Sequence, residues 1–387
     1  MAAGGIREIA ARALELERRG RDVIHLEIGR PDYDSPLCAK QAAAQALEEG
    51  RVHYTENAGL PELRGVIAQD RNHRYGTDTD GSAIIVTTGA TEALAVAFLT
   101  LLEPGDEVIV PAPFFPAYSL QATLAGGAAR ELPCRFENGF RPDPAALEAA
   151  VTPRTKMLLL NSPNNPTGTV LSRAELEAVA DIARRHNLWV LSDECYERFL
   201  YEGEPLTVSA LPGMAERTVV VSAASKTFSM TGWRIGWLVA PPQIFPYLNR
   251  CHQHLTTCAA SFAQAGAAEA LSSAEGDVRR MIEGYRERRD VFTESLRRVE
   301  GFDLHTPQGA FYVFPSVKRL TEAWGMTASE LAAWLLEEAG VAAVPGDPFR
   351  ADGEFLRMAF CRPVDELTEA ARRIERAVRN RMAGKSK

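Results

Sequence analysis

The sequence predicts an α/β fold: a large domain with a mostly parallel sheet flanked by helices, plus a smaller α+β domain. Six short apolar runs, "AIIVTTG", "DEVIVPAP", "TKMLLLNSP", "LWVLSDE", "TVVVSAAS" and "RIGWLVA", read as strands buried on both faces. Between most of them lie helix-like stretches such as "ATEALAVAFLTLLEPG" and "SRAELEAVADIARRHN", the alternation expected of a parallel sheet. After about residue 260 the texture changes to long charged helices, then to "GAFYVFPSV", "GVAAVPG" and "EFLRMAF" with further helices.

Taken in order, the opening "MAAGGIREIAARALELERRG" reads as an amphipathic helix without the continuous apolar core of a signal peptide. Residues 1–25 are expected to form an N-terminal arm and 46–284 the large domain. Residues 26–45 join 285–387 in the smaller domain, and the connection between the two units reads as continuous helix. Ser172 with Glu175 makes a capping-box pattern that fixes one helix start and carries no functional information.

The 387 residues suffice for two domains and a substantial core. With 51 acidic against 43 basic residues the formal net charge is -8, and no basic arm appears, which argues against nucleic acid as the main partner. No apolar run approaches the roughly 20 residues of a membrane span. Six cysteines without a paired framework point to the reducing cytoplasm.

In a parallel sheet, ligands bind outside the carboxyl ends of the strands. Those ends carry Gly89, Ala90 and Thr91, then Phe115, the loop "NSPNNPTG", "SDECY", and Ser225 with Lys226. Several have ordinary explanations. Asp193 closes an apolar run, where an uncompensated carboxylate is costly, yet an isolated one reads as a helix cap or an arginine's partner. Tyr196 alone is a packed aromatic, "NSPNNPTG" a turn, and Thr91 a cap that also fits the presentation of N–H groups to a phosphate. Arg234, between Trp233 and Ile235 in a strand-like apolar setting, asks for a bidentate anion. Together these residues suit a planar, phosphorylated, charge-delocalising ligand better than a metal or a nucleotide.

In order and spacing, "NSPNNPTG", "SDECYERFLYEG" and "SKTFSMTGWRIGW" identify the family. The chain resembles, over nearly its whole length, the class I/II aminotransferases, fold-type-I enzymes that depend on pyridoxal 5′-phosphate. The resemblance implies that Lys226 holds the cofactor through a covalent imine and then shuttles a proton. Physically, a desolvated lysine has a depressed pKa, which suits it as nucleophile and base. It implies that Asp193 faces the pyridine nitrogen, that Tyr196 and Asn165 bond the phenolic oxygen, and that Phe115 stacks on the ring. Gly89, Ala90, Thr91, Ser225 and Arg234 fall at the phosphate. Tyr54 matches a tyrosine sent across a homodimer interface to the neighbour's phosphate, so that two sites are shared. Arg357 in "FLRMAF" falls where the substrate α-carboxylate binds, and Gly29 in "LEIGRPDYDSP" where backbone meets substrate.

The implied activity is transfer of an amino group from an L-amino acid to a 2-oxo acid. The alternative is β- or γ-elimination, or a specialised biosynthetic reaction, on the same scaffold. A non-catalytic sensor would need an attached DNA-binding domain, for which the sequence ahead of "VIHLEIG" leaves no room. Ala223 stands where the family usually has Ser or Thr, with Ser222 one step earlier, so one phosphate contact is expected to be missing or replaced. Arg30 stands where many relatives have Glu and is expected to pair with Asp32 or Asp34 rather than reach a substrate. Asp347 stands where a small residue is common. In "CHQHLTTC", Cys251, His254 and Cys258 could share one helical face, but no zinc spacing or fourth ligand appears, so no metal is expected. Neither G-x-G-x-x-G after a strand nor a phosphate-loop motif is present.

Overall fold

The computed structural model describes residues 6–351 and 353–384. Twelve strands are found there. They are β1 (Ile24–His25), β2 (Ile84–Thr87), β3 (Glu107–Ala112), β4 (Ala128–Pro133), β5 (Thr155–Asn161) and β6 (Trp189–Asp193). The rest are β7 (Thr218–Ala223), β8 (Gly236–Val239), β9 (Tyr312–Val313), β10 (Val341–Ala342), β11 (Val344–Pro345) and β12 (Leu356–Ala359).

A 7-stranded sheet with order β2-β8-β7-β6-β5-β3-β4 forms the large unit. Strands β3 to β7 pair in parallel, whereas β8 is antiparallel to both its neighbours, β7 and β2. Thus β2 to β7 all point one way and β8 alone opposes them. The six apolar runs all become strands. The edge strand β4, "AARELP", escapes that pattern because most of its residues are exposed, so no buried apolar run marks it. The reversed strand matters for the site. The segment 224–235 leaves β7 and re-enters β8 at the same sheet edge, without a crossover helix.

The smaller unit contains the antiparallel set β11-β12-β9 and the parallel pair β1-β10. The arm helix Ile6–Arg18 buries Ile9, Ala13 and Leu16 in the same apolar cluster as Leu335, Leu367 and Ile374. Helix Glu275–Arg297 runs continuously through the boundary placed at 284/285. Residues 37–45, assigned by sequence to the smaller domain, belong to helix Leu37–Glu48, whose Ala39 joins the cluster of Ala263 and Ala267 on helix Ser261–Ser273. Small side chains let these helices approach closely; a Cβ at Gly266 would lie 2.8 Å from the Ala39 carbonyl.

Behind the sheet edge lies a buried ionic network. Arg71, on helix Pro61–Tyr75, donates to Glu194 at 3.1 Å, and Thr207 and Ser192 donate to the other oxygen of Glu194 at 2.6 and 2.9 Å. Tyr75 and Ser222 donate to Glu197 at 2.7 and 2.8 Å, and Arg74 lies 3.1 Å from it. The network ties a helix to the segment that follows Asp193. Arg71→Ala leaves the buried Glu194 carboxylate without its cation, and is expected to lower the unfolding free energy by about 3–5 kcal/mol. A shift of the urea midpoint measures this, and an unchanged midpoint refutes it.

Candidate active site

Parallel strands deliver side chains at their carboxyl ends, and the reversed β8 delivers its amino end to the same place. Register fixes this: Gly236 sits opposite both Thr87 of β2 and Ala223 of β7. The helix Ala224–Thr227 and the turn Thr231–Trp233 fill the loop between, and set Lys226 and Arg234 on either side of it.

Lys226 Nζ donates to the carbonyl oxygen of Gly29 at 2.7 Å, and has no carboxylate within ion-pair distance among the described residues. Burial pulls its pKa below the ordinary lysine value, and the nearby guanidinium groups of Arg357 and Arg234 lower it further. Gly29 is glycine for a steric reason. A Cβ there would stand 1.9 Å from the Tyr312 hydroxyl oxygen.

From Tyr312 the contacts continue. Its hydroxyl lies 2.9 Å from that of Tyr196, and both phenols are buried. Burial pushes Tyr312 up to about 12 and Tyr196 well above its usual value, so both stay protonated at neutral pH. The Arg357 guanidinium packs over the rings of Tyr312 and Phe349, at 4.7 and 4.9 Å from their centroids. Its Nη1 donates to Asn165 Oδ1 at 3.3 Å and its Nη2 to the Glu27 carbonyl at 2.5 Å. Arg357 is 2% exposed, its Nε has no partner, and no carboxylate faces it among the described residues. A buried guanidinium in that state is an incomplete ion pair.

Asn165 is held in turn by Asn161 at the end of β5. The Asn165 N–H donates to Asn161 Oδ1 at 2.8 Å, and Asn161 Nδ2 donates to the Asp193 carbonyl at 3.1 Å. The Asp193 carboxylate accepts from the Tyr118 hydroxyl at 2.7 Å and from the Cys195 N–H at 3.1 Å. Burial raises its pKa, against those two hydrogen bonds and the charge of Lys226. Each oxygen keeps a lone pair for a cationic donor. Phe115 is half-buried and meets Tyr118 edge-on, with centroids 5.7 Å apart.

Across the loop, Gly89 caps helix Ala90–Leu101 without a side-chain bond. The N–H groups of Ala90 and Thr91 find no acceptor among the described residues. Arg234 is exposed in a turn with φ 55°, and not in the strand-like setting expected, because β8 begins only at Gly236. Its guanidinium donates to the carbonyls of Thr231 and Thr88 at 3.0 and 3.2 Å. It passes so close to Gly89 that a Cβ there would lie 2.5 Å from Nη2. Ser225 is buried one residue before Lys226.

The structure therefore joins Lys226, Gly29, Tyr196, Arg357, Asn165, Asp193 and Phe115 by contiguous contacts, and groups Gly89, Ala90, Thr91 and Arg234 beside them. Tyr54 stands apart, 86% exposed. Tyr118, Tyr312 and Asn161 are the members that sequence reasoning missed. "NSPNNPTG" carried Asn161 within its quoted span, but nothing in "FFPAYSLQ" or "GAFYVF" distinguishes a hydroxyl turned inward from a packed aromatic.

One further expectation is corrected. Arg30 does not pair with Asp32 or Asp34, because Arg288 lies 2.6 Å from Asp32 and Lys40 binds Asp34. Ser222 does not replace the missing hydroxyl at 223; it is fully buried and donates to Glu197. Cys251, His254 and Cys258 do not share a helical face, because helix Phe245–Leu255 ends before Cys258. No group of metal-ligating side chains forms among the described residues. Asp347 is exposed and accepts from the Ser329 hydroxyl at 2.9 Å.

Residues 21–374 match the family model described as aminotransferase class I and II. An aspartate aminotransferase from Pyrococcus horikoshii is 41% identical over 376 residues, covering 96% of this chain and 94% of that one. An aromatic-amino-acid aminotransferase from Thermococcus litoralis is 38% identical, covering 93% and 92%. The solved aspartate aminotransferase from Thermus thermophilus with maleate superposes with a TM-score of 0.92 at 39% identity, covering 97% of each chain. The chain belongs to the class I and II aminotransferase family, and is an enzyme of the fold-type-I class that transfers amino groups between amino acids and oxo acids.

Proposed function

We propose that this edge holds pyridoxal 5′-phosphate, and that the enzyme moves the amino group of an L-amino acid to a 2-oxo acid through Lys226. The observation that carries this reading is the buried Arg357, whose Nε is unpartnered and whose charge has no counter-ion among the described residues. An α-carboxylate completes it bidentately.

The other residues fit the group. Asp193, with a lone pair free on each oxygen, would take the cationic ring nitrogen. Tyr196, kept protonated, and Asn165 would bond the phenolic oxygen, and Phe115 would lie on the ring face. The free N–H groups of Ala90 and Thr91, with Ser225 and Arg234, would hold the phosphate at the helix start capped by Gly89. When bound, the cofactor supplies an electron sink for charge developing at the substrate α-carbon. Arg357 fixes the α-carboxylate, so that the α C–H bond is presented toward Lys226. Lys226, with its depressed pKa, then takes and returns the proton at that carbon. The backbone of Gly29, without a side chain, would approach the substrate beside Tyr312.

The reading includes a homodimer. Tyr54 and Val52 are exposed on a segment bonded to helix Ser261–Ser273 through Ser261 and the Arg51 carbonyl at 2.7 Å, and Phe262 beside them is also exposed. A second copy covering this patch would receive Tyr54 at its own phosphate. No helix among the described residues is long and apolar enough to cross a membrane, and the six cysteines are unpaired, as suits a reducing cytoplasm.

Borohydride reduction of cofactor-saturated protein, followed by peptide mass mapping, is expected to find the pyridoxyl adduct on Lys226; an unmodified Lys226 refutes the reading. Lys226→Ala is expected to cut turnover of aspartate or phenylalanine with 2-oxoglutarate by about 10³-fold or more, and full activity would sink it. Arg357→Lys keeps the charge but loses the fork, and should raise KM for both amino acid and oxo acid by roughly 10- to 100-fold with a smaller change in kcat. Gly29→Ala must displace Tyr312. Steady-state kinetics should show it impaired with every donor tested, and wild-type kcat/KM would exclude close approach at that position.

A further inference from the structure

Among the described residues "CHQHLTTC" takes part in no metal-ligating group, but one of its histidines bonds the helix that starts at Ala90. His252, on helix Phe245–Leu255, is fully buried, and its Nδ1 lies 2.7 Å from Glu92 Oε1. The Thr256 hydroxyl donates to the same oxygen at 2.5 Å. The other oxygen of Glu92 accepts from the Thr88 N–H at 2.5 Å and from the Thr88 hydroxyl at 2.6 Å. Four donors therefore occupy the carboxylate. Burial alone would raise its pKa, but the bonds from His252, Thr256 and Thr88 bring it down to about 2, so it is fully ionised.

The position of Glu92 makes this arrangement significant. It is the third residue of helix Ala90–Leu101, where a glutamate in a capping box folds back onto the N–H of the cap residue, here Gly89. There its charge would lie beside the N–H groups of Ala90 and Thr91 and repel an anion from them. Instead both of its oxygens are taken by Thr88, His252 and Thr256. Through Thr88 it also fixes the turn that leads into the anion site proposed at residues 89–91. The Thr88 carbonyl accepts from Arg234 Nη2, and the Thr87 hydroxyl donates to the Gly89 carbonyl at 3.1 Å.

We infer that Glu92 is a positioning residue for the phosphate site, held by His252 and Thr256 so that the N–H groups of Ala90 and Thr91 and the Arg234 guanidinium stay open to an anion. This rests on the reading above that a phosphate binds at residues 89–91 and Arg234. The restraint is a hydrogen-bond effect. What matters at position 252 is a donor at the place of Nδ1, not an imidazole as such.

The test uses the full-length apoenzyme and compares pyridoxal 5′-phosphate with pyridoxal, which lacks the phosphate, by fluorescence titration. Glu92→Gln, His252→Leu and Thr256→Val are expected to weaken binding of the phosphorylated compound, by about tenfold (~1.4 kcal/mol) for the first two. Pyridoxal binding should stay unchanged, and the ³¹P resonance of the bound phosphate should move. His252→Asn, which keeps a donor near the place of Nδ1, should recover most of the affinity lost in His252→Leu. Wild-type affinity in Glu92→Gln and Thr256→Val overturns the inference, as does equal loss of both ligands in every variant. Arg234→Gln separates the two claims. If it weakens phosphate-dependent binding while Glu92→Gln does not, the phosphate site stands and the inference fails; if neither does, the phosphate site itself is wrong.

Discussion

A guanidinium buried with no counter-ion among the described residues is the constraint on which this site depends. Arg357 has lost its water, and carbonyl and amide oxygens satisfy only part of its fork. Removing an unpaired charge from water is costly, so the surroundings must hold it in place. Tyr312 and Phe349 do so from its faces, and Asn165 and the Glu27 carbonyl from its edge. Lys226 is in a similar state: among the described residues its Nζ is bonded to the Gly29 carbonyl alone. Among the described residues neither side chain has a carboxylate at ion-pair distance, so an anionic, carbonyl-bearing ligand gains from both. Function is placed where stability is given up.

The sheet makes this possible through one reversed strand. Were β8 parallel, the chain after β7 would need a crossover helix, and Lys226 and Arg234 would lie at opposite ends of it. Because β8 is antiparallel, the segment between returns to the same edge. Gly236, opposite Thr87 and Ala223, brings that segment against the start of helix Ala90–Leu101, where a Cβ would lie 2.6 Å from the Ala90 nitrogen. Cationic loop and helix start are thereby packed together.

Around this edge the protein places layers of support. Tyr118 and the Cys195 N–H aim the Asp193 carboxylate, and Asn161 links it to Asn165. Glu92 restrains the turn at Thr88, and Arg71 with Glu194 anchors the segment beyond Asp193. Each is a polar group buried with its partners, and such networks are rigid because leaving any member unpaired is expensive. That rigidity keeps the donors aimed before the ligand arrives.

Patterns along the chain were enough to mark the strands that are buried on both faces and the residues at their carboxyl ends. Local physics sets these: apolar runs of strand length, a capping box at Ser172, and a lysine and an arginine held in a short loop. The sequence also identified the family, through motifs whose spacing is legible without coordinates. It did not mark β4, whose exposed residues carry no apolar pattern, nor the alliance of helix Leu37–Glu48 with Ser261–Ser273. Packing selected which hydroxyls turn inward, as Tyr118 and Tyr312 do while Ser222 turns to Glu197. It left Arg30 without the acids beside it in sequence, which Arg288 and Lys40 take. It also set His252, rather than His254, against Glu92. These outcomes depend on contacts between residues far apart in the chain, and such partners are chosen by packing rather than by any local pattern.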